Sequence, residues 1–362
     1  MKYSHFETFQ PHCPVCKNVD SGSGSRLVVG LREVEDAILL RQGTLICSNP
    51  LCQHEFPVID GIPIIVANLR EYIAASESSI LRRTDLSENI ESIIGDSLGS
   101  GSVFDVNRQH LSSYVWAHYG DKIIENRLAA QQDCGSYVQL INQSLENCDI
   151  PIEGPSIDLG CSVGRATFEL AERTGDLSLG IDLNFNMLRF ASQLLSGSQA
   201  TFPKRRVGLA FDDLKLDASF ENSNQVDFWA CDAAAVPIKP ECCASLTSLN
   251  LLDAVSSPYD HLLQIAGLLK EGGVATLCCP YDWSTAVTAE AAWIGGHSQR
   301  GPFNGASEST LRSILEQPPL RDAVQVVGEE QSIQWQIRLH DRSVVHYDCH
   351  SIELKKHVKA TE

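Results

Sequence analysis

The sequence predicts an α/β fold with a mainly parallel sheet that is covered by helices on both faces. Short apolar strand-like segments alternate with helical segments from Ile157 onward, which is the pattern of a doubly wound sheet. Near the C-terminus, two strand-like segments are separated only by His340, Asp341 and Arg342, which predicts a closing antiparallel hairpin. Two cysteine pairs near the N-terminus predict a separate small module that is held together by a metal.

Composition and charge argue against a nucleic-acid-binding protein and against a membrane protein. The chain has 362 residues, of which 43% are hydrophobic and 20% are charged, as is ordinary for a globular protein. Its net charge of −18 makes a nucleic-acid partner unfavourable, because such partners are polyanions. The first residues, MKYSHFETFQ, contain no apolar signal region, and no apolar run is long enough to span a bilayer. We therefore expect a cytoplasmic enzyme that contacts no membrane.

The N-terminal module, residues 1–67, contains four cysteines with metal-ligand spacing. Cys13 and Cys16 form a C-x2-C pair, and Cys47 and Cys52 form a C-x4-C pair, so two turns present four thiolates to one tetrahedral Zn²⁺. His12 or His54 is an alternative ligand to one of the cysteines, and four unliganded buried thiols are the alternative to a metal site. With its tail FPVIDGIPIIV, the segment resembles the small zinc-ribbon domains that are fused to, or partnered with, methyltransferases dependent on S-adenosylmethionine (SAM). That resemblance implies a structural Zn²⁺ and a role in folding and in docking a protein partner.

The sequence of residues 68–150 predicts a helical linker or lid. A Gly- and Ser-rich stretch at residues 94–103 predicts a linker or turn within it. One predicted helix has an apolar and aromatic stripe that includes Tyr114 and His118. A stripe of this kind packs against the rest of the protein. Its sequence also resembles the helix that precedes the catalytic domain in ribbon-fused methyltransferases, so Tyr114 and His118 are candidates for covering a substrate pocket.

The turn after the first strand of the α/β domain, residues 151–360, indicates the cofactor. A dinucleotide fold needs G-x-G-x-x-G so that the backbone can approach a pyrophosphate. In this chain the turn begins at Gly160, and Ser162 and Arg165 occupy the second and third glycine positions. The turn therefore favours a cofactor without a phosphate but with an adenosine and an amino-acid tail, namely SAM.

Further residues at the ends of the predicted strands complete a cofactor site. The run Asp158-Leu-Gly160-Cys161, followed by Gly164, resembles motif I of the class I SAM-dependent methyltransferases, which implies a Rossmann-like seven-stranded sheet. Asp182 ends the second strand, where a carboxylate can accept both ribose hydroxyls. The resemblance further implies that Asp232 contacts the adenine amino group and that Asn250, at the end of the fourth strand, lines the methyl-transfer site.

The loop after the fifth strand predicts the acceptor side of the site. Its arrangement P-Y-x-W … W-I-G-G resembles the methyltransferase domain that ends ovothiol synthases, which N-methylates the imidazole of a thiol-bearing histidine. The resemblance implies a small acceptor with a nitrogen (or thiol) nucleophile. Asn250, Tyr281 and His297 are the candidate catalytic residues. Methyl transfer from a sulfonium needs an aligned lone pair and a base, and we assign the base to His297. Asp282, Trp283 and Trp293 are further candidates for stacking and orientation of the acceptor.

Two other functions are consistent with the motifs. An rRNA or tRNA base methyltransferase can also carry an N-terminal zinc module, although the net charge of −18 opposes RNA binding. A non-catalytic SAM-binding subunit, whose ribbon docks another protein, is the third hypothesis. The aromatic loop and Asn250 oppose it, because a scaffold needs no acceptor pocket.

Overall fold

A computed structural model describes residues 1–16, 25–124, 134–146, 153–195, 197, 199–217 and 219–358. The N-terminal part begins with helix α1 (Tyr3–Phe9) and continues with four antiparallel strands. These are β1 (Leu27–Glu35), β2 (Leu40–Cys47), β3 (Glu55–Ile59) and β4 (Ile62–Pro63), and they form one sheet in that order. Its short strands and turns bring the two cysteine pairs together at one end of the module.

Four α-helices lie among the described residues of the predicted linker, residues 68–150. They are α2 (Leu69–Ile80), α3 (Glu88–Leu98), α4 (Val103–Tyr119) and α5 (Ser136–Glu146). The predicted join at residues 94–103 contains the end of α3 and the start of α4, where Ser102 caps α4 by accepting a hydrogen bond from the Asp105 backbone N–H at 3.2 Å. The predicted boundary between residues 150 and 151 lies outside the described residues.

The remaining chain alternates between strands and helices. Its strands are β5 (Ser156–Leu159), β6 (Ser178–Asp182), β7 (Gln199–Val207), β8 (Ala210–Asp217), β9 (Val226–Ala230), β10 (Cys243–Leu249), β11 (Leu269–Cys279), β12 (Val324–His340) and β13 (Ser343–Lys356). Its helices are α6 (Arg165–Thr174), α7 (Phe185–Leu194), α8 (Pro258–Leu268), α9 (Ser307–Leu315) and α10 (Leu320–Ala323). All seven strands that the sequence predicts in this region are present.

Those seven strands form one sheet in the order β12-β13-β11-β10-β5-β6-β9. The five strands β9, β6, β5, β10 and β11 are parallel, whereas β13 pairs antiparallel with both β11 and β12. All four residues of β5 are buried, which is typical of a strand covered on both faces. The predicted α/β fold with a Rossmann-like sheet and a C-terminal antiparallel hairpin is confirmed.

Strands β7 and β8 form a separate antiparallel hairpin that the sequence analysis did not predict. The segment is rich in charged residues and has Pro203 inside a strand, and both features obscure a strand pattern. The hairpin packs against α4, where the Arg205 backbone N–H donates a hydrogen bond to the Ser112 hydroxyl at 2.7 Å. It therefore supports α4 from the side.

No helix among the described residues combines the length and the apolarity needed to cross a membrane.

Candidate active site

A cleft of about 430 Å³ opens at the carboxyl ends of the parallel strands. Gly160 follows β5, Asp182 ends β6 and Asn250 follows β10, and all three line the cleft. The sheet order reverses between β5 and β10, and a crevice at that switch point is where open α/β sheets bind ligands. The volume lies within the range of small-molecule sites.

The turn after β5 forms the floor of the cleft. Gly160 has φ +74°, and a Cβ atom there would lie 2.7 Å from the Leu251 side chain, so only glycine fits. Ser162 has φ +51° and donates its backbone N–H to Asp182 Oδ2 at 2.8 Å. Asp182 Oδ1 accepts the Asn184 N–H at 2.7 Å, so the backbone fixes the carboxylate while each oxygen keeps a further lone pair. Burial raises the pKa of Asp182.

Asn250 lies in the cleft with an unsatisfied side chain. Its backbone is left-handed, with φ +56°, and its N–H donates to the Cys278 carbonyl at 2.7 Å. Both side-chain amide atoms are buried, and neither has a hydrogen-bond partner among the described residues. An unpaired buried polar group costs about 1–3 kcal/mol, so this amide is suited to a ligand that satisfies it.

Aromatic residues from α4, from α5 and from the C-terminal hairpin also line the cleft. His118 and Tyr137 stack with ring centroids 3.6 Å apart, and Trp335 and Tyr347 stack at 5.1 Å. Tyr137 also meets the edge of Trp335 at 6.4 Å, and Tyr114 lies beside His118. Tyr114 and His118, the predicted lid candidates, thus line the cleft together with three aromatic residues that were not predicted.

Two carboxylates besides Asp182 line the cleft. Asp253 is 7% exposed and accepts the Asp282 backbone N–H at 2.6 Å, while Asp282 itself is exposed. The Tyr347 hydroxyl donates to Asp282 Oδ2 at 3.2 Å. Burial raises the pKa of Asp253, and burial together with Asp282 raises the pKa of Tyr347 to about 12.

Four predicted cofactor residues are absent from the lining of the cleft as described. Asp158 is buried below the turn and accepts hydrogen bonds from Thr167 and Thr247, both at 2.8 Å. Cys161 is buried in the apolar core, and Gly164 caps the N-terminus of α6. Asp232 follows β9 and accepts the Ala234 N–H at 2.9 Å. These residues shape the turn and the strand end, and their predicted contacts with a cofactor stay predictions.

Two predicted catalytic residues are likewise absent from the described lining. The Tyr281 hydroxyl is hydrogen-bonded to His350 Nδ1 at 2.7 Å, and His350 Nε2 lies 2.8 Å from Glu329 Oε1. His297 contacts the Ser298 hydroxyl at 2.7 Å, while its Nε2 is buried without a partner among the described residues. Their catalytic roles remain predictions. Trp283 and Trp293 stack with centroids 6.1 Å apart in the same loop.

Sequence reasoning missed several residues that line the cleft. Asp253 is the last residue of the motif NLLD, which begins at Asn250 at the end of a predicted strand. The position of this motif could have indicated that Asp253 lies near the cleft. Tyr137, Trp335 and Tyr347 come from segments far apart in the chain, and only the packing of the lid and the hairpin brings them together.

The four N-terminal cysteines meet in one cluster. Their sulfur atoms all lie within 4.8 Å of one another, with Cys13 and Cys52 at 3.8 Å and Cys16 and Cys47 at 3.6 Å. Four thiolates around a tetrahedral Zn²⁺ have sulfur atoms about 3.8 Å apart, so the cluster is compatible with zinc. His54 Nδ1 lies 3.1 Å from the Cys52 sulfur.

Comparison with known proteins identifies the domain that holds the cleft. Residues 157–277 match the family model described as a methyltransferase domain. The chain contains a methyltransferase domain, as expected for a SAM-dependent methyltransferase. No curated protein matches it. This region of the methyltransferase includes β5, β6, β9, β10 and most of β11, and therefore the turn, Asp182 and Asn250.

Several solved structures are similar to this methyltransferase at low identity. A structure described as a putative S-adenosylmethionine-dependent methyltransferase from Listeria monocytogenes is 16% identical, with a TM-score of 0.40, over 61% of this chain and 100% of that one. The [4+2]-cyclase SpnF is 13% identical, with a TM-score of 0.43, over 74% and 97%. A complex of the Haloferax volcanii Trm112 methyltransferase activator with a methyltransferase matches at 14% identity and a TM-score of 0.39, over 61% and 90%.

Proposed function

We propose that this methyltransferase transfers the methyl group of SAM to a nitrogen of a small histidine-like metabolite, with a thiol as the alternative nucleophile. The observation that carries the proposal is the cleft at the sheet switch point, which is lined by Gly160, Asp182 and Asn250 together with aromatic residues of α4, α5 and the C-terminal hairpin. Its volume of about 430 Å³ suits small ligands rather than a folded polymer. The resemblance of the loop after β11 to ovothiol-type methyltransferases supports the histidine-like acceptor.

The residues on the cofactor side fit SAM. The lone pairs that remain on Asp182 can accept the ribose hydroxyls, and Gly160 leaves the floor of the cleft free of a side chain. Asp232 is proposed to contact the adenine, while Asp158, Cys161 and Gly164 hold the turn in shape. The unsatisfied amide of Asn250 is proposed to orient the groups that react.

Bound SAM supplies an electrophilic methyl group on a positively charged sulfur. The chain has to align the acceptor lone pair with that group, and the aromatic wall of the lid and hairpin is suited to hold a flat ring in one plane. When the acceptor ring nitrogen forms its bond to the methyl carbon, the carbon–sulfur bond breaks and S-adenosylhomocysteine leaves. The ring, now positively charged, then loses a proton from its other nitrogen.

Two residues are candidates for the base that takes this proton. His297 is the base predicted from the sequence, and Asp253 lines the cleft. Burial raises the pKa of Asp253 and so makes it a stronger base than an ordinary carboxylate. We propose Asp253 as the base. The variants Asp253→Asn and His297→Gln distinguish the two assignments by which one reduces kcat.

The cysteine cluster is proposed to bind one structural Zn²⁺ through Cys13, Cys16, Cys47 and Cys52. All four positions of a tetrahedral ion would be filled by protein sulfur, which leaves none for a substrate. The zinc module would then act in folding and docking, and a protein partner on its surface remains a proposal.

The test is transfer of label from methyl-labelled SAM to the small-molecule, RNA and protein fractions of a cell extract. We expect label in the small-molecule fraction, loss of that label with Asp182→Asn or Asn250→Ala, and full labelling with the control Asp260→Asn. Asp260 is exposed on α8 and does not line the cleft. Label in RNA would support the tRNA or rRNA alternative instead, and SAM binding without any transfer would support a non-catalytic subunit.

A further inference from the structure

The mouth of the cleft has an acidic and aromatic surface that the cofactor side does not explain. Asp282 and Tyr347 are joined by a hydrogen bond of 3.2 Å, and Tyr347 stacks on Trp335. These three residues come from the loop after β11 and from the C-terminal hairpin, whereas Gly160 and Asp182 lie at β5 and β6. We call the three residues the mouth cluster.

Negative charge dominates the cleft. Its charged carboxyl side chains are Asp182, Asp253 and Asp282, and no Lys or Arg is among the described residues that line it. None of the three carboxylates takes part in an ion pair within the described part of the chain. A cleft lined by one sign of charge concentrates ligands of the opposite sign. Asp182 is proposed to accept the ribose hydroxyls of the cofactor, so Asp253 and Asp282 are the carboxylates of this lining that remain to face the acceptor.

Unsatisfied polar atoms in the same lining indicate that a ligand is expected there. His118 is 1% exposed, and its Nδ1 has no partner among the described residues. Burial, with a further contribution from Arg165, lowers the pKa of His118 well below its usual value, so the ring is neutral and does not offset the carboxylates. Trp335 is 5% exposed, and its indole N–H likewise has no partner in the described residues.

We infer that the methyl acceptor carries a protonated amine beside its aromatic ring, and that the mouth cluster binds this amine. The inference rests on the proposed function and assigns the specificity of the same site. The Asp282 carboxylate supplies the counter-charge, and the half-buried ring of Tyr347, supported from behind by the buried Trp335, attracts a cation through its quadrupole. The neutral ring nitrogen of the acceptor is then left free to attack the methyl group deeper in the cleft.

The test measures binding separately from turnover. The full chain, saturated with S-adenosylhomocysteine, is titrated by calorimetry with three imidazoles of similar size that differ in charge: histamine, 4-methylimidazole and imidazole-4-acetate. We expect histamine to bind about tenfold more tightly than the other two, since a charge-assisted contact is worth that much. Asp282→Asn should reduce this preference to about twofold, and the surface control Asp260→Asn should keep it.

Asp282→Asn keeps the size of the side chain and leaves an oxygen for the Tyr347 hydroxyl, so its fold should be intact, which an unchanged thermal midpoint would verify. Equal binding of the three imidazoles, no binding of any, or an unchanged preference in Asp282→Asn would overturn the inference. It would also be overturned if Asp282→Asn weakened SAM binding instead, because the acidic surface would then serve the cofactor.

Turnover distinguishes this inference from the proposed function. Preferential binding of histamine without any label transfer to small molecules would contradict the proposed function alone. Label transfer to an anionic or neutral acceptor in preference to the amine would contradict the inference alone.

Discussion

At the scale of single residues, strained backbone positions cluster around the cleft. Ser162, Asn250 and Tyr281 all have left-handed backbones, with φ between +51° and +57°, and each stands just after a parallel strand. A non-glycine residue in this region costs on the order of 1 kcal/mol and persists only where its surroundings enforce it. At Ser162 and Asn250, hydrogen bonds from the backbone N–H enforce it.

Asp158 links the stability of the methyltransferase to pH. Burial raises its pKa to about 7, although hydrogen bonds from Thr167 and Thr247 oppose the rise. The folded state therefore holds the proton more tightly than the unfolded chain, whose pKa is about 4. The stability from this group is present at low pH and is lost as the pH rises from about 4 to about 7.

We therefore expect Asp158→Asn, which does not titrate, to gain stability relative to the original chain over that pH range. The difference in unfolding free energy, measured by urea denaturation, should grow from pH 4 to 7 and stay constant above pH 7. The two threonine hydroxyls can rotate to serve the amide. A difference that does not depend on pH would contradict the assignment.

Tyr281 offers a test between a catalytic and a structural role. Its hydroxyl is hydrogen-bonded to the His350 ring, and the other ring nitrogen of His350 is hydrogen-bonded to Glu329. Tyr281→Phe should destabilise the fold by about 1–2 kcal/mol, because His350 loses a buried partner. We expect kcat to change by less than about threefold, since the described lining of the cleft does not include Tyr281. A hundredfold loss of kcat with an unchanged thermal midpoint would instead support the catalytic role predicted from the sequence.

At the scale of elements, the N-terminal module covers an edge of the central sheet. Ile64 forms a parallel bridge with Ala230 of β9, and the Ile65 N–H donates to the Ala230 carbonyl at 2.9 Å. Phe9 of α1 packs edge-on against Trp229 with centroids 6.2 Å apart. An uncovered sheet edge exposes unpaired backbone groups, and the module covers such groups on the edge strand β9.

This contact would make the stability of the catalytic domain depend on the proposed zinc site. We expect about one zinc per chain by elemental analysis, and loss of it in Cys16→Ser. The thermal midpoint of Cys16→Ser should fall by several degrees, because binding of a structural metal is coupled to folding. Cys134→Ser, a cysteine outside the cluster, should keep both the zinc and the midpoint. Retention of full stability without zinc would show that the cluster is only a group of thiols.

At the scale of the whole molecule, the net charge of the protein favours a small-molecule substrate over RNA. The net charge of −18 repels a polyanion at long range, and the repulsion is strongest at low salt. We expect no shift of bulk tRNA in a native gel at about 50 mM salt, where electrostatic RNA binding is strong. A shift that weakens as salt is added would reveal a local basic surface and reopen the RNA alternative.

Much of the fold was readable from local sequence patterns. Apolar runs bounded by turn residues identify the seven strands of the central sheet, and the short link at residues 340–342 identifies its closing hairpin, because both depend on neighbours in the chain. The hairpin of β7 and β8 escaped prediction because its strands are short of apolar residues and rest on α4 rather than in the main sheet.

Local sequence patterns were sufficient to predict the strands of the sheet, the glycine turn at Gly160 and the spacing of the four cysteines, since each is encoded within a few residues. Which side chains share the cleft depends on how distant elements pack against one another. Tyr137, Trp335 and Tyr347 meet across about two hundred residues because α5 packs on the hairpin and the register of β12 with β13 turns these rings inward. A shift of one residue in that register would turn the rings to the other face, and no local pattern records such a contact.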